Sequence, residues 1–388
     1  MSYDLLADFG RPLRWGMVGG GTDSLIGETH RLAARVDGRY QLVTGCLSYD
    51  PAIAKRSAEV CLLEPSRSYT SFEAMAEAEA NREDGVEVVT VCTPPHLHAA
   101  ASEAFLKRDI AVLCEKPMTK NLAEARALKE TVDSSQAKFA LTHCYTGYPM
   151  VREARALISS GAIGAIRQIE CDFVSGPFLD ENPDRSKRHW RFLPEYMGTA
   201  SILGEIGAHA INMISYTCGE LPQSVLAKMV TLTPGREVAD DAQILLQFPG
   251  NRIGRMWLSF VATGSEHGLA FRVFGDKGSL QWRQEQPEQL IHTPRGEYAR
   301  TITSGHLDRL TPLGAHSCRL REGHPEGYVL AFANLYRDFA DQIIGSRLGV
   351  ALNPHVSTVP GADEGVETLR FFEACVRSND AGSTWQNL

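Results

Sequence analysis

Three consecutive glycines, Gly19-Gly20-Gly21, separate the apolar run Leu13-Arg-Trp-Gly-Met-Val18 from an amphipathic stretch that continues to about Val36. A strand that turns through glycines directly into a helix is a restricted piece of chain, because the backbone passes through conformations that side chains resist. Such a turn also leaves the first amide N–H groups of the helix pointing outward, where a phosphate fits. Further along, the apolar run Ile110-Ala-Val-Leu-Cys114 closes on Glu115-Lys116-Pro117. A lysine at the carboxyl end of a strand, followed by a proline that fixes φ, is aimed rather than free to sway. If both turns belong to one parallel sheet, Lys116 points into the crevice where ligands of such sheets bind.

The rhythm of the first part of the chain supports one sheet. Strands are expected at 13–18, 40–47, 86–92, 110–114 and 138–142. Helices are expected after the glycines, from Asp50-Pro51, and over 98–107 and 122–134. Strand–helix alternation of this kind predicts a parallel sheet wound on both sides. After Tyr148-Pro149 the pattern changes to a helix over 151–160 and longer strands at 166–174, 224–232, 241–248, 253–262, 270–274 and 279–282. The turns Pro249-Gly-Asn251 and Gly275-Asp-Lys-Gly278 favour antiparallel pairing of the later strands. Helices around 329–344 and 363–377 complete the chain. The fold class is therefore α/β: a Rossmann-type, doubly wound N-terminal domain (1–145), then a C-terminal α+β domain (146–388) with an open, mainly antiparallel sheet. An open sheet of this kind commonly buries its outer face against another subunit, so a homo-oligomer, dimer or tetramer, is expected.

Composition narrows the function. A chain of 388 residues is long for one core. A net charge of −8 without a basic tract argues against a nucleic-acid partner. No run is long enough to span a bilayer, and the first ten residues lack the basic start and apolar core of a signal peptide. The nine cysteines are an odd count without a CxxC, and several lie inside strand-like runs; they read as reduced core residues of a cytoplasmic protein. His96, His98 and His143 lack a carboxylate or thiolate at ligand spacing, so no metal is expected.

Gly19 and Gly21 stand where the first two glycines of a dinucleotide loop belong. The third position is Ser24, and Gly27 follows three residues later, so Ser24, Leu25 and Ile26 must shape the phosphate turn differently. At the end of the second strand an acidic residue would hold a ribose 2′-hydroxyl. Ser48 and Asp50 lean toward NAD, whereas Lys55-Arg56 leans toward NADP; NAD is the expected cofactor and NADP the alternative. Thr93-Pro94 sets an extended turn over the sheet edge, and His98 either caps the next helix or faces the cofactor.

Together the glycine loop, Thr93-Pro94 with His98, and Glu115-Lys116-Pro117 resemble the Gfo/Idh/MocA oxidoreductases. Gly204-Glu205-Ile206-Gly207-Ala208-His209 resembles the family's Asp-x-Gly-x-His stretch. The segments His143–Pro149, Trp190-Arg191 and Gly323–Tyr328 are similar to one sub-branch. The resemblance implies a nicotinamide enzyme acting on a ring carbon of a sugar, glycoside or inositol, with Lys116 and His209 as the catalytic pair. A redox-assisted glycoside hydrolase with retained NAD and a non-enzymatic dinucleotide sensor are the alternatives. The cofactor would be held by Gly19, Gly21, Ser24, Leu25, Ile26, Ser48, Asp50, Thr93, Pro94, His98, Glu115, Lys116 and Cys144. Substrate would meet Lys116, Tyr145, Arg191, Glu205, His209 and Asn212. The spacing of Glu205 and His209 puts both on one helix face. Segment 180–191 reads either as a lid over the sugar or as a solvated loop. Three departures stand out: Glu205 replaces aspartate, Ser24 replaces glycine, and Cys144 replaces asparagine.

Overall fold

A computed structural model describes residues 5–197 and 201–388; residues 1–4 of the N-terminal stretch lie outside it. The chain divides into two compact units. The first holds the chain up to Cys144 together with Tyr328–Val366, and the second holds Tyr145–Gly327 with Glu367–Leu388.

In the first unit, β1 (Leu13–Gly19), β2 (Tyr40–Cys46), β3 (Val88–Cys92), β4 (Ala111–Cys114) and β5 (Phe139–Leu141) form a sheet in the order β2-β1-β3-β4-β5. All pairs are parallel, and β3 and β4 are buried throughout, as expected of a sheet covered on both faces. The chain runs outward from β1 to β2, then returns to place β3 on the other side of β1. That reversal is the point at which such sheets open a crevice, and Gly19 and Cys92 sit opposite each other there.

The helix Gly327–Leu348, expected in the second domain, belongs from Tyr328 onward to this first unit. Side-chain chemistry explains the difference. Tyr336 packs edge-on against Trp15, Tyr40 and His30, and its carbonyl accepts from the Tyr40 hydroxyl at 2.7 Å. Asp341 pairs with Arg39, and Arg347 pairs with Glu87. Contacts between positions so far apart in sequence leave no periodic trace.

The second unit carries β6 (Ile166–Val174), β7 (Ser224–Val230), β8 (Asp241–Phe248), β9 (Arg252–Ser259), β10 (Leu269–Gly275), β11 (Gly278–Arg283), β12 (Gln289–Pro294), β13 (Arg300–Thr303) and β14 (Gln386–Asn387). Their order is β13-β12-β11-β10-β6-β9-β8-β7-β14, antiparallel except for β6 against β9. The sequence reading missed β12, β13 and β14, which are short and polar; β12 ends in Pro294, which suits a strand's limit. The helices Pro149–Ser159 and Ala208–Cys218 pack together, the latter also against β6. Among the described residues no helix is long and apolar enough to cross a membrane.

Glu87, buried just ahead of β3, gathers Arg11 at 2.6 Å, the Arg14 amide at 2.8 Å and Arg347. Burial raises its pKa, but these partners outweigh it and hold the carboxyl at about 2, against an ordinary 4.5. Because the folded-state value is depressed, the ionised group stabilises the fold above about pH 4.5, and the contribution is lost as pH falls toward 2. Glu87→Gln should therefore lower the melting temperature at neutral pH, and the gap to wild type should narrow at about pH 3. Thermal melts across pH check this; a gap independent of pH would contradict it.

Candidate active site

In the first unit, the glycine turn is built by close backbone approach. Gly19 and Gly20 take left-handed φ of 78° and 74°. A Cβ on Gly19 would lie 2.9 Å from the Cys92 carbonyl oxygen, and one on Gly27 only 2.3 Å from the Gly20 carbonyl oxygen. Gly27 thus gives the close helix–turn packing expected of a third glycine, and Ser24 has another task. Its hydroxyl caps the helix Leu25–Val36 by accepting from the Gly27 amide at 3.2 Å. Leu25 is 85% exposed and Ile26 half-buried at the first turn of that helix. The Thr22 amide donates to Ser57 Oγ at 3.0 Å, which ties the turn to the helix Pro51–Val60. No spacing in the sequence pointed to Ser57. The positive φ values, the excluded Cβ positions and the capped helix N-terminus fit a dinucleotide pyrophosphate.

At the end of β2 the expected ribose contacts are differently occupied. Asp50 Oδ1 accepts from the Ala52 and Ile53 amides at 2.8 and 3.0 Å, capping the helix Pro51–Val60, while Ser48 Oγ accepts from the Asp50 amide at 3.1 Å. The acid is drawn to its own helix because the first amides there have no intrahelical acceptor.

His98 is the first residue of the helix His98–Leu106 and not its cap, a position that Leu97 takes. It is fully buried, with Nδ1 2.8 Å from the Pro117 carbonyl and Nε2 2.7 Å from the Thr93 carbonyl. The ring clamps the turn after β3, where Thr93 and Pro94 are half-buried, to the turn after β4. Two carbonyls call for two N–H donors, whereas burial lowers the pKa of this ring.

Glu115 anchors the turn that carries Lys116. Its Oε1 accepts from Thr142 Oγ1 at 2.5 Å and lies 3.1 Å from His30 Nε2, and its Oε2 accepts from the Lys116 amide at 3.0 Å. Burial opposes ionisation, but His30, Lys116 and Thr142 hold the carboxyl at about 2. His30 Nδ1 sits 2.8 Å from the Tyr336 hydroxyl, which is 2.8 Å from Thr90 Oγ1, and Thr90 accepts from Trp15 Nε1 at 2.9 Å. The sequence pattern did not single out His30, which lies within the helix Leu25–Val36. Nearby, burial pushes the His143 pKa down to about 3 against the Glu115 charge, with Lys116 adding to the fall. Cys144 Sγ lies 3.9 Å from the Tyr328 hydroxyl.

The second unit gathers the other expected residues around the helix Ala208–Cys218. A π-helical turn, Leu203–Gly207, leads into it, and that turn includes Glu205. A π turn takes more residues per revolution than an α turn, so Glu205 comes closer to direct alignment above His209 than uniform α-helix allows. His209 and Asn212 are both buried. The His209 ring meets the Tyr145 ring edge-to-face, centroids 4.6 Å apart. The Tyr145 hydroxyl is 2.5 Å from His267 Nε2, a partner on the loop between β9 and β10 that sequence spacing did not reveal. Buried Arg152 donates to the Thr146 carbonyl at 2.9 Å and holds the turn bearing Tyr145. Arg191 Nε donates to Glu205 Oε1 at 2.8 Å. Segment 180–191 is laced by Arg188–Glu237 and Arg236–Glu181 ion pairs, so it is a fastened loop.

Residues 13–143 match the model of the oxidoreductase family with an NAD-binding Rossmann fold, and residues 151–281 match the GFO/IDH/MocA C-terminal domain. The chain is 30% identical over 380 residues to the uncharacterized oxidoreductase YfiI of Bacillus subtilis, covering 97% of this chain and 96% of that one. It is 25% identical over 302 residues to the levoglucosan dehydrogenase of Pseudarthrobacter phenanthrenivorans, covering 72% and 75%. The crystal structure of an inositol dehydrogenase homolog from Azotobacter vinelandii, complexed with NADH and myo-inositol, is 32% identical with a TM-score of 0.89, each chain covered to 98%. The same homolog complexed with NAD+ gives a TM-score of 0.92. With both of its domains matched and a relative alignable over nearly its whole length, the chain belongs to the Gfo/Idh/MocA family of NAD-binding oxidoreductases.

Proposed function

We propose that this protein is a dehydrogenase that transfers hydride between NAD and a ring CH–OH carbon of an uncharged sugar, glycoside or inositol. The observation that carries the proposal is the setting of Lys116: it follows β4 directly, on a turn pinned by the buried, ionised Glu115. NAD, when bound, supplies the hydride acceptor. The residues 19–26 would cradle its pyrophosphate, Ser48 its ribose, and Thr93, Pro94 and Cys144 would line the turns toward its nicotinamide end. Lys116 stabilises the negative charge that develops on the substrate oxygen as hydride leaves the neighbouring carbon. His209 shares the proton of that hydroxyl, and the Tyr145 ring against it restricts the imidazole's orientation. Glu205, Arg191, Tyr145 and Asn212 hold further hydroxyls. Relatives named for levoglucosan and for inositol support a ring polyol as the substrate class. The outer face of the nine-stranded sheet carries exposed Leu245 and Ile253, in keeping with a homo-oligomer as part of this proposal.

Lys116→Ala should leave NADH affinity close to wild type and lower turnover by about two orders of magnitude or more. Inositols, monosaccharides and glycosides are first screened for NADH formation, and the variant is then assayed on the best of them. Turnover within a few-fold of wild type would assign Lys116 a structural role. Titration with both nucleotides should show tighter binding of NAD than NADP, because a 2′-phosphate would meet the Asp50 charge; a tenfold margin needs only about 1.4 kcal/mol. Tighter NADP binding would mean that Lys55 or Arg56 reaches the phosphate.

A further inference from the structure

Arg191 is the cation of the second unit read as substrate-facing, and it is not presented as a bare charge. Its Nε donates to Glu205 Oε1 at 2.8 Å, its Nη1 lies 3.1 Å from His189 Nε2, and its guanidinium sits 4.6 Å above the Trp190 ring. The pair is open to a ligand, with 30% of the arginine side chain and 19% of the glutamate side chain exposed. The neighbouring cations follow the same pattern. Arg185 pairs with Glu195 at 2.9 Å, Arg188 with Glu237 at 2.9 Å, and Arg236 with Asp240 at 3.1 Å.

A carboxylate or phosphate bound at Arg191 would meet the Glu205 charge at nearly the same distance, so attraction and repulsion largely cancel. A hydroxyl group carries no net charge and both donates and accepts. It can use the guanidinium and the carboxylate together.

We infer that the Arg191–Glu205 ion pair is a charge-masking specificity element that admits uncharged ring polyols and rejects sugar acids and sugar phosphates. The inference rests on the proposed role of the second unit in binding a polyol. Glu205→Gln keeps the shape and the acceptor for Arg191 Nε but leaves the guanidinium charge uncompensated.

The test measures binding of myo-inositol, D-glucuronate and myo-inositol 1-phosphate to the NADH-loaded protein by calorimetry. Wild type should bind myo-inositol at least about tenfold more tightly than either anion, and Glu205→Gln should gain about tenfold or more in anion affinity. Glu205→Gln combined with Arg191→Gln should lose that gain, which separates unmasked charge from a merely loosened site. No gain in the single variant, a gain that persists in the double variant, or anions bound as well as myo-inositol by wild type would each overturn the inference. A wild type that oxidises no polyol would overturn the proposed function instead, and the anion gain in Glu205→Gln would still decide the charge-masking claim.

Discussion

The first unit depends on one buried carboxylate. Glu115 is ionised out of reach of bulk water, which is tolerated only when hydrogen bonds replace its hydration. They come from three places: His30 on the helix after the glycine turn, Thr142 just after β5, and the Lys116 amide. Removing one partner from such a buried pair typically costs about 3–5 kcal/mol, a large share of a domain's net stability. The same contacts place Lys116, because its amide is held by the carboxylate and the next residue is a proline. Through Tyr336, His30 also fixes the helix Gly327–Leu348 onto the sheet. Packing, electrostatics and the position of the candidate catalytic lysine are one problem with one solution here.

The second unit solves a different problem, how to aim several polar groups from one helix. A regular α-helix offsets residues four apart by more than a full turn. The π-helical turn Leu203–Gly207 removes much of that offset, bringing Glu205 and His209 toward one line. Gly207 suits the site for a second reason, since a Cβ there would lie 3.0 Å from Leu258 Cδ1. Tyr145, its hydroxyl against His267, then closes on the His209 ring from outside the helix.

What the sequence made legible was local. The glycine turn, the strand–helix alternation and Glu115-Lys116-Pro117 are each encoded within a few residues, and five parallel strands followed from them with shifts of one or two residues at the ends. Partners remote in sequence were not legible. His30 to Tyr336, Tyr145 to His267 and Arg347 to Glu87 join positions whose own neighbourhoods give no sign of the contact. Local chemistry also gives Asp50 and His98 partners that the sequence did not show. A carboxylate ahead of a helix is captured by that helix's amides, and a buried imidazole is captured by the nearest carbonyls.

The replacement of aspartate by Glu205 shows how such local choices combine. Alone, one added methylene would carry the carboxylate past the position a shorter side chain occupies. With Arg191 held over Trp190, the longer chain gains a fixed partner and so loses less rotamer freedom when a ligand arrives. Glu205 itself sits within the π-helical turn that leads into the helix bearing His209. The longer side chain is thus accompanied by two local features, a paired arginine and a π turn. Both lie in the segments just before the helix that carries His209, where a change of reach can alter what is bound without moving the histidine.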